Sequence, residues 1–276
     1  MPADLHVHTT FSDSTQTPEE VIERCVVKGV ATVAITDHDS VQGVPRATAA
    51  GQEVGVRVVP GVEMTAYDKS TEIHVVGLFI DPRNRELTRV IDDSREVRHT
   101  RVHQIVDRLR RVNVNLSADD VFEIADGGSP GRMHVAQALV RNGYTASVAD
   151  AFKRYIGNRG PAYVPKQKLT PAEAAAAIHQ GGGVAIVGHP GIGVPDAMIR
   201  RMIDEGMDGI EVYHPLHSDR HVDHYLRLAW ECGARVSGGS DSHGNAKEGT
   251  QVGNILVNDE IVRQLELGAE QIRRGE

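Results

Sequence analysis

Cysteine is scarce. The 276-residue chain has two, Cys25 and Cys232, far apart and in segments that read as helical, so no disulfide framework is expected to hold the fold. No uninterrupted apolar run is long enough to span a bilayer, and no membrane partner is expected. The start, Met1-Pro2-Ala3-Asp4-Leu5-His6, enters a strand-like run at once, without a charged leader or an apolar segment ahead of it. No signal peptide is therefore expected, and a cytoplasmic location is the default. Basic residues are in deficit: 30 Lys and Arg against 38 Asp and Glu give a net charge of −8. That balance argues against gripping long nucleic acid by phosphate neutralisation and suits a small anionic substrate held by metal and a few basic side chains. Aromatic residues are few, at 4%, against 14 histidines, and neither tandem repeats nor low-complexity tracts occur.

What is present is ordinary globular composition, 40% hydrophobic and 25% charged, in a chain long enough for one large α/β domain or a core with an insertion. Apolar runs near 3–8, 31–36, 56–65, 72–80, 184–189, 208–213, 234–240 and 252–257 read as strands. Helical patterns alternate with most of them, which predicts a parallel sheet, open or closed into a barrel. Thr17-Pro18-Glu19-Glu20 and Thr170-Pro171-Ala172-Glu173 each open a helix with an N-cap and a proline in the first turn. From about 86 to 168 helical segments follow one another without a convincing strand. The expected division is a sheet domain of residues 1–98 and 166–276, with a helical cap of residues 99–165 inserted in it.

The histidines are not scattered. His6-Val7-His8 with Asp13, Asp37-His38-Asp39, His189-Pro190 and Asp241-Ser242-His243 pair imidazole with carboxylate, a donor set that suits Zn, Mn and Fe. An H-x-H pair on a strand sends both rings to one face because side chains alternate with period 2. If the strands are parallel, His8, His38, Glu63, His74, His189 and Asp241 all fall near carboxyl ends, where α/β folds place their chemistry. Asp37 and Asp39 could orient the His38 ring from behind; as turn or cap residues they would have no part in the chemistry. Pairs such as His99/His103 and His221/His224 read as solvated helix faces.

The ordered series Asp4-Leu5-His6-Val7-His8 to Asp13, Ile35-Thr36-Asp37-His38-Asp39, Gly61-Val62-Glu63, Glu72-Ile73-His74, Gly188-His189-Pro190 and Gly239-Ser240-Asp241-Ser242-His243 resembles the PHP (polymerase and histidinol phosphatase) family over nearly the whole chain. The resemblance implies a distorted (β/α)7 TIM-like barrel and three divalent ions, Mn, Fe or Zn. It assigns His6, His8, Glu63 and Asp241 to one ion, and Glu63, His74 and His189 to a second. Asp13, His38 and His243 would hold the third.

Ser129-Pro130-Gly131-Arg132-Met133-His134 reads as a helix start, with Ser129 as N-cap and Pro130 at the first helical position. It resembles the segment by which nucleotide phosphatases of that family reach over their metals with an Arg and a His. Arg132 and His134 are thus candidate phosphate contacts, and His217, in Tyr213-His214-Pro215-Leu216-His217, is a third. The expected activity is metal-dependent hydrolysis of phosphate monoesters of small nucleotides, a nucleoside 3′,5′-bisphosphate or a 5′-mononucleotide, with short 5′-phosphorylated oligonucleotides as related substrates. Alternatives are a histidinol-phosphate phosphatase, an amidohydrolase, for which no carboxylated-lysine candidate is evident, and a non-catalytic metal-binding regulatory module.

Overall fold

Side-chain alternation makes the first strand the template of the site. The computed structural model describes residues 1–276 except 70, 127, 166–168 and 247–248. In it β1 (Ala3–Val7) is buried along its whole length. Leu5 and Val7 join apolar clusters, while Asp4, His6 and, one residue past the strand, His8 take the alternate positions. β2 (Thr32–Ile35), β3 (Arg57–Asp68), β4 (Thr71–Leu78), β5 (Val184–Val187), β6 (Gly209–Tyr213) and β7 (Arg235–Gly238) complete one seven-stranded sheet in sequence order. Beyond the last strand Val7 bridges to Ser242, whose carbonyl accepts the His8 N–H at 3.0 Å. The residues after β7 therefore lie beside β1.

Two expectations about the sheet need correction. It is mostly parallel, but β4 runs antiparallel to both neighbours. β3 and β4 form a long hairpin, and His74 reaches the site from the first half of β4, not from a carboxyl end. The run 252–257 is not a strand: it forms turns, tied to β1 by an Ala3–Val257 bridge and by the Gly253 N–H, which donates to Asp4 Oδ2 at 2.8 Å. Its apolar residues Val252 and Val257 are buried as loop anchors.

The two Thr-Pro starts behave as predicted. Thr17 opens α1 (Pro18–Lys28) and Thr170 opens α7 (Pro171–Gln180), each in a reciprocal capping box with the glutamate three residues on. The other helices flanking the sheet are α2 (Val44–Val54), α8 (Asp196–Asp204), α9 (Asp219–Cys232) and α10 (Asp259–Arg274). Between β4 and α7 lie α3 (Arg85–Arg110), α4 (Ala118–Ala125), α5 (Arg132–Arg141), α6 (Val148–Ala151) and a π-helical turn, Phe152–Ile156. The first half of α3 packs Leu87 and Ile91 onto the sheet's core, and its second half shares a separate core with α4 and α5, built on Ile105, Leu109, Val121 and Leu139. The expected boundary at 165/166 borders residues outside those described. Among the described residues no helix is long and apolar enough to cross a membrane.

Candidate metal centre

Glu63, halfway along β3 and fully buried, faces five imidazoles. Its Oε2 lies 3.3 Å from His6 Nε2, 3.2 Å from His8 Nε2 and 3.0 Å from His38 Nδ1, and its Oε1 lies 2.6 Å from His74 Nδ1 and 3.1 Å from His189 Nε2. Asp241 Oδ1 is 3.2 Å from His8 Nε2 and 3.6 Å from His6 Nε2. Asp13 Oδ1 is 3.2 Å from His243 Nε2, and its Oδ2 is 3.8 Å from His38 Nε2.

Each group is held by its own stretch of backbone. Asp37 does not touch the His38 ring. It accepts the Thr9 N–H, the Thr9 hydroxyl and the Ser12 hydroxyl, fixing the turn that carries Asp13. Asp39 pairs with the Arg98 guanidinium, and its N–H donates to the Glu63 carbonyl. Asp39, His189 and Asp241 have φ of 45°, 24° and 49°, a region that residues other than glycine seldom occupy and that concentrates at functional sites. The ligand-bearing loops are thus held in conformations that the surrounding contacts must enforce.

These donors fall into groups that could each hold an ion: His6, His8, Glu63 and Asp241; His8, Asp13, His38 and His243; and His38, Glu63 and His74. His189 joins the last through Glu63. His8 and His38 each belong to two groups, so the assignment is more shared than the sequence suggests. The decisive fit is electrostatic. His6 Nε2, His8 Nε2, His38 Nδ1, Asp13 Oδ1 and Glu63 Oε2 are buried without a hydrogen-bond partner although they crowd one another. Burying such atoms unpaired is costly, and cations at the convergence of their lone pairs would satisfy them together.

Beside these donors opens a cavity of about 150 Å³, whose lining includes Asp13, His38, Glu72 and His74 together with Arg98, Arg101 and Arg132. Arg132 Nη1 donates to Asn158, Nη2 lies 3.4 Å from both oxygens of Glu72, and the guanidinium sits over the Phe152 and Tyr163 rings. Arg101 gives its Nε–H to the Val164 carbonyl, and its buried Nη2 has no partner.

A PHP domain model matches residues 4–156. The chain is 34% identical over 247 residues to the 5′-3′ exoribonuclease Rnm of Salmonella typhimurium, spanning 87% of this chain and 84% of that protein. The chain belongs to the PHP family. It is also 32% identical to the 3′,5′-nucleoside bisphosphate phosphatase of Chromobacterium violaceum, over 91% of this chain and 90% of that one. Among solved structures, a chain designated a metal-dependent phosphoesterase from Bifidobacterium adolescentis superposes with a TM-score of 0.89 at 32% identity, covering 96% of this chain and 95% of that one. As a PHP protein the chain is a metal-dependent phosphoesterase.

The buried groups of the PHP centre shift one another's protonation. Burial works to neutralise every group in it, yet the carboxylates Asp13, Glu63 and Asp241 are held well below the usual range by the surrounding histidines. His8 is pushed up to about 9 and His74 to about 10, because their carboxylate neighbours outweigh burial, whereas burial takes His38 down to about 3. Protons on His8 and His74 supply part of the charge that metal ions would provide.

The phosphate side differs from the sequence reading in three places. The α5 N-cap is Gly131, not Ser129, and the helix starts at Arg132. His134 is buried, does not line the cavity, and accepts the Gly131 N–H on Nδ1 at 3.1 Å, so it closes the helix start. Both His217 nitrogens face backbone: Nδ1–H donates to the Val212 carbonyl at 2.8 Å and Nε2 accepts the Gly191 N–H at 3.1 Å. The imidazole that faces the centre is His214, with Nδ1 accepting the Leu216 N–H and Nε2 3.3 Å from Asp241 Oδ2. Glu211 was also missed. Its Oε1 accepts from His6 Nδ1 at 2.8 Å and its Oε2 from the His189 N–H at 2.7 Å, which directs the His6 Nε2 lone pair at the centre. The remaining histidine pairs stay apart from it: His99 and His103 pack on Phe122, and His224 pairs with Asp196.

Proposed function

We propose that the protein hydrolyses phosphate monoesters of small nucleotides, a nucleoside 3′,5′-bisphosphate or a 5′-mononucleotide, with short 5′-phosphorylated oligonucleotides as related substrates. The observation that carries this reading is the cavity itself, whose lining brings Asp13, His38 and His74 together with Glu72 and the three guanidiniums of Arg98, Arg101 and Arg132. A phosphoryl group is the substrate fragment that suits both the guanidiniums and cations held by the carboxylate and imidazole groups. His6, His8, Asp13, His38, Glu63, His74, His189, Asp241 and His243 would hold up to three divalent ions, Mn, Fe or Zn. Bound there, the ions would activate water and neutralise phosphoryl charge.

The chain's own residues divide the remaining work. Arg132, half-enclosed by two rings, gives up its loose contacts to Glu72 and turns its fork to the phosphoryl oxygens. Arg101 offers an Nη2 that has no competing partner. Arg98, tied to Asp39 and to the Thr65 hydroxyl, contributes charge from a fixed position. His214 carries its ring proton on Nε2 and steadies Asp241. The helices from α3 to the π-turn act as the cap domain that brings these cations over the sheet.

The test is phosphate release by Mn-reconstituted protein from a panel of nucleoside 3′,5′-bisphosphate, 5′-mononucleotide, 5′-phosphorylated short RNA and histidinol phosphate. Turnover of nucleotides, reduced a hundredfold or more in Arg132→Ala, supports the reading, since a charge-assisted fork to phosphate is worth roughly 1.5–3 kcal/mol per hydrogen bond. Turnover of histidinol phosphate alone, or of nothing, would overturn it.

A further inference from the structure

The hairpin of β3 and β4 carries an acid that the metal ligands do not account for. Its register sets Tyr67 directly opposite Glu72 and Thr65 directly opposite His74. Opposed side chains share a face, as do residues two apart on one strand, so Glu63, Thr65, Tyr67, Glu72 and His74 all stand on one face of the hairpin. Glu63 meets the imidazoles at one end of this row, and Glu72 enters the cavity with Arg132 at the other. The other acid of that cavity, Asp13, faces His243 and His38. Glu72 belongs to none of the three donor groups described above.

Three side chains converge on it. Its Oε2 accepts the hydroxyl of the buried Tyr67 at 2.5 Å, its Oε1 lies 3.4 Å from His74 Nε2, and both oxygens lie 3.4 Å from Arg132 Nη2. The short bond fixes the carboxylate, and the long ones leave it shared. His74 has its Nδ1 2.6 Å from Glu63 Oε1, so one ring nitrogen faces the centre and the other faces Glu72. A carboxylate behind a ligating imidazole fixes the ring and strengthens it as a donor. Glu211 does the same for His6, but its second oxygen is engaged inside the protein by the His189 N–H. The remaining contacts of Glu72 go to a cavity arginine that a phosphoryl group would also claim.

We infer that Glu72 is a positioning residue with two opposed effects: it orients His74 for metal, and it competes with the phosphoryl group for Arg132. The inference rests on the phosphoesterase reading above and deepens it. A phosphoryl group that draws Arg132 away leaves Glu72 to His74 alone, so substrate entry tightens the hold of His74 on its ion. When inorganic phosphate is the occupant, the return of Arg132 to Glu72 favours its release. Tyr67 sets where the carboxylate stands between its two partners.

Two measurements on the whole chain test it: calorimetric titration of Mn into chelator-treated protein, and the inhibition constant of inorganic phosphate against nucleotide turnover at saturating Mn. Glu72→Gln keeps the length and one acceptor for Tyr67 but sets an amide NH2 against His74 and Arg132. It should weaken Mn binding about 10–100-fold. It should also lower the phosphate inhibition constant about three- to tenfold, less than the full worth of a charge-assisted hydrogen bond because the contact to Arg132 is long. With phosphate held longer, kcat and KM should fall together. Tyr67→Phe should act on phosphate in the other direction, raising its inhibition constant about threefold, because a carboxylate deprived of the hydroxyl turns to Arg132. Added to Glu72→Gln, Tyr67→Phe should leave that constant where Glu72→Gln put it. A merely structural loss would weaken both ligands in Glu72→Gln; that result, or an unchanged Mn affinity or inhibition constant, would overturn the inference. Nucleotide turnover by wild type keeps the phosphoesterase reading in each of those cases, and a wild type that turns over no nucleotide removes the reading and the inference together.

Discussion

Removing Arg98 should damage the protein more than removing any other arginine of α3. Its guanidinium is buried, pairs through Nε with the fully buried Asp39 and donates from Nη2 to the Thr65 hydroxyl at 3.0 Å. Asp39 also accepts the Thr65 N–H at 3.3 Å and carries a backbone φ of 45°. Two unit charges about 4 Å apart attract by roughly 4 kcal/mol at an effective dielectric of 20. Truncating one partner of a buried charge pair costs about 3–5 kcal/mol. Arg98→Ala and Asp39→Ala should therefore each lower stability by that amount in urea unfolding, a shift on the order of 5–15 °C in Tm for a chain of this size. The double variant should lose clearly less than the sum, because the two side chains interact directly. Because the pair joins α3 to the loop that carries His38, Arg98→Ala should also lower kcat. Single losses below about 1 kcal/mol, or strictly additive losses, would refute the claim that this pair ties α3 to the loop that carries His38.

Metal binding should be proton-coupled. Carboxylate neighbours push His8 up to about 9 and His74 up to about 10, so each must give up a proton at neutral pH to coordinate. Apparent Mn affinity should rise with pH up to about 9–10, with proton release visible as a dependence of calorimetric heat on buffer ionisation enthalpy; a pH-independent affinity would contradict the assignment. Glu211→Ala should weaken metal binding about 10–100-fold by freeing both the His6 ring and the His189 backbone, and Glu211→Gln should recover part of it, as read by metal content after dialysis. Chelation should lower Tm, and restoring metal at about a hundred times its Kd should regain roughly 2.7 kcal/mol; an unchanged Tm would mean that the buried donors are not coordinating.

Much of this centre is legible in the sequence because strand geometry is so restrictive. A His-x-His on a buried strand can only place both rings on one face, and Glu63, isolated in the apolar run of β3, has few reasons to be there except a ligand. What misleads is the assumption of a uniform strand direction. The β3–β4 hairpin reverses the chain, so His74 arrives from the opposite end of its strand, and hydrophobic pattern carries no information on direction. The segment after β6 misleads differently. Two histidines three residues apart are equivalent on paper, and only the backbone bonds to Val212 and Gly191 show that His217 is bound up while His214 faces Asp241.

The buried arginines of α3 were readable by a rule the motifs do not contain. α3 holds many arginines, and its length and charge suggest a solvated helix. Its buried positions nevertheless run Leu87, Ile91, Ser94, Arg98, Arg101, Val102, Ile105, Leu109, a continuous stripe at helical spacing. Two arginines occupy positions that the periodicity reserves for apolar side chains. An arginine on a buried stripe must find a carboxylate, a carbonyl or an anion, and here the stripe passes beside the metal ligands. Arg98 has its carboxylate in Asp39, and Arg101 has a carbonyl for Nε but nothing for Nη2. Under the proposed function, that buried guanidinium nitrogen, lining a cavity with Asp13, His38 and His74, would meet a phosphoryl oxygen, and the same periodicity argument that marks a core position would then mark a substrate contact.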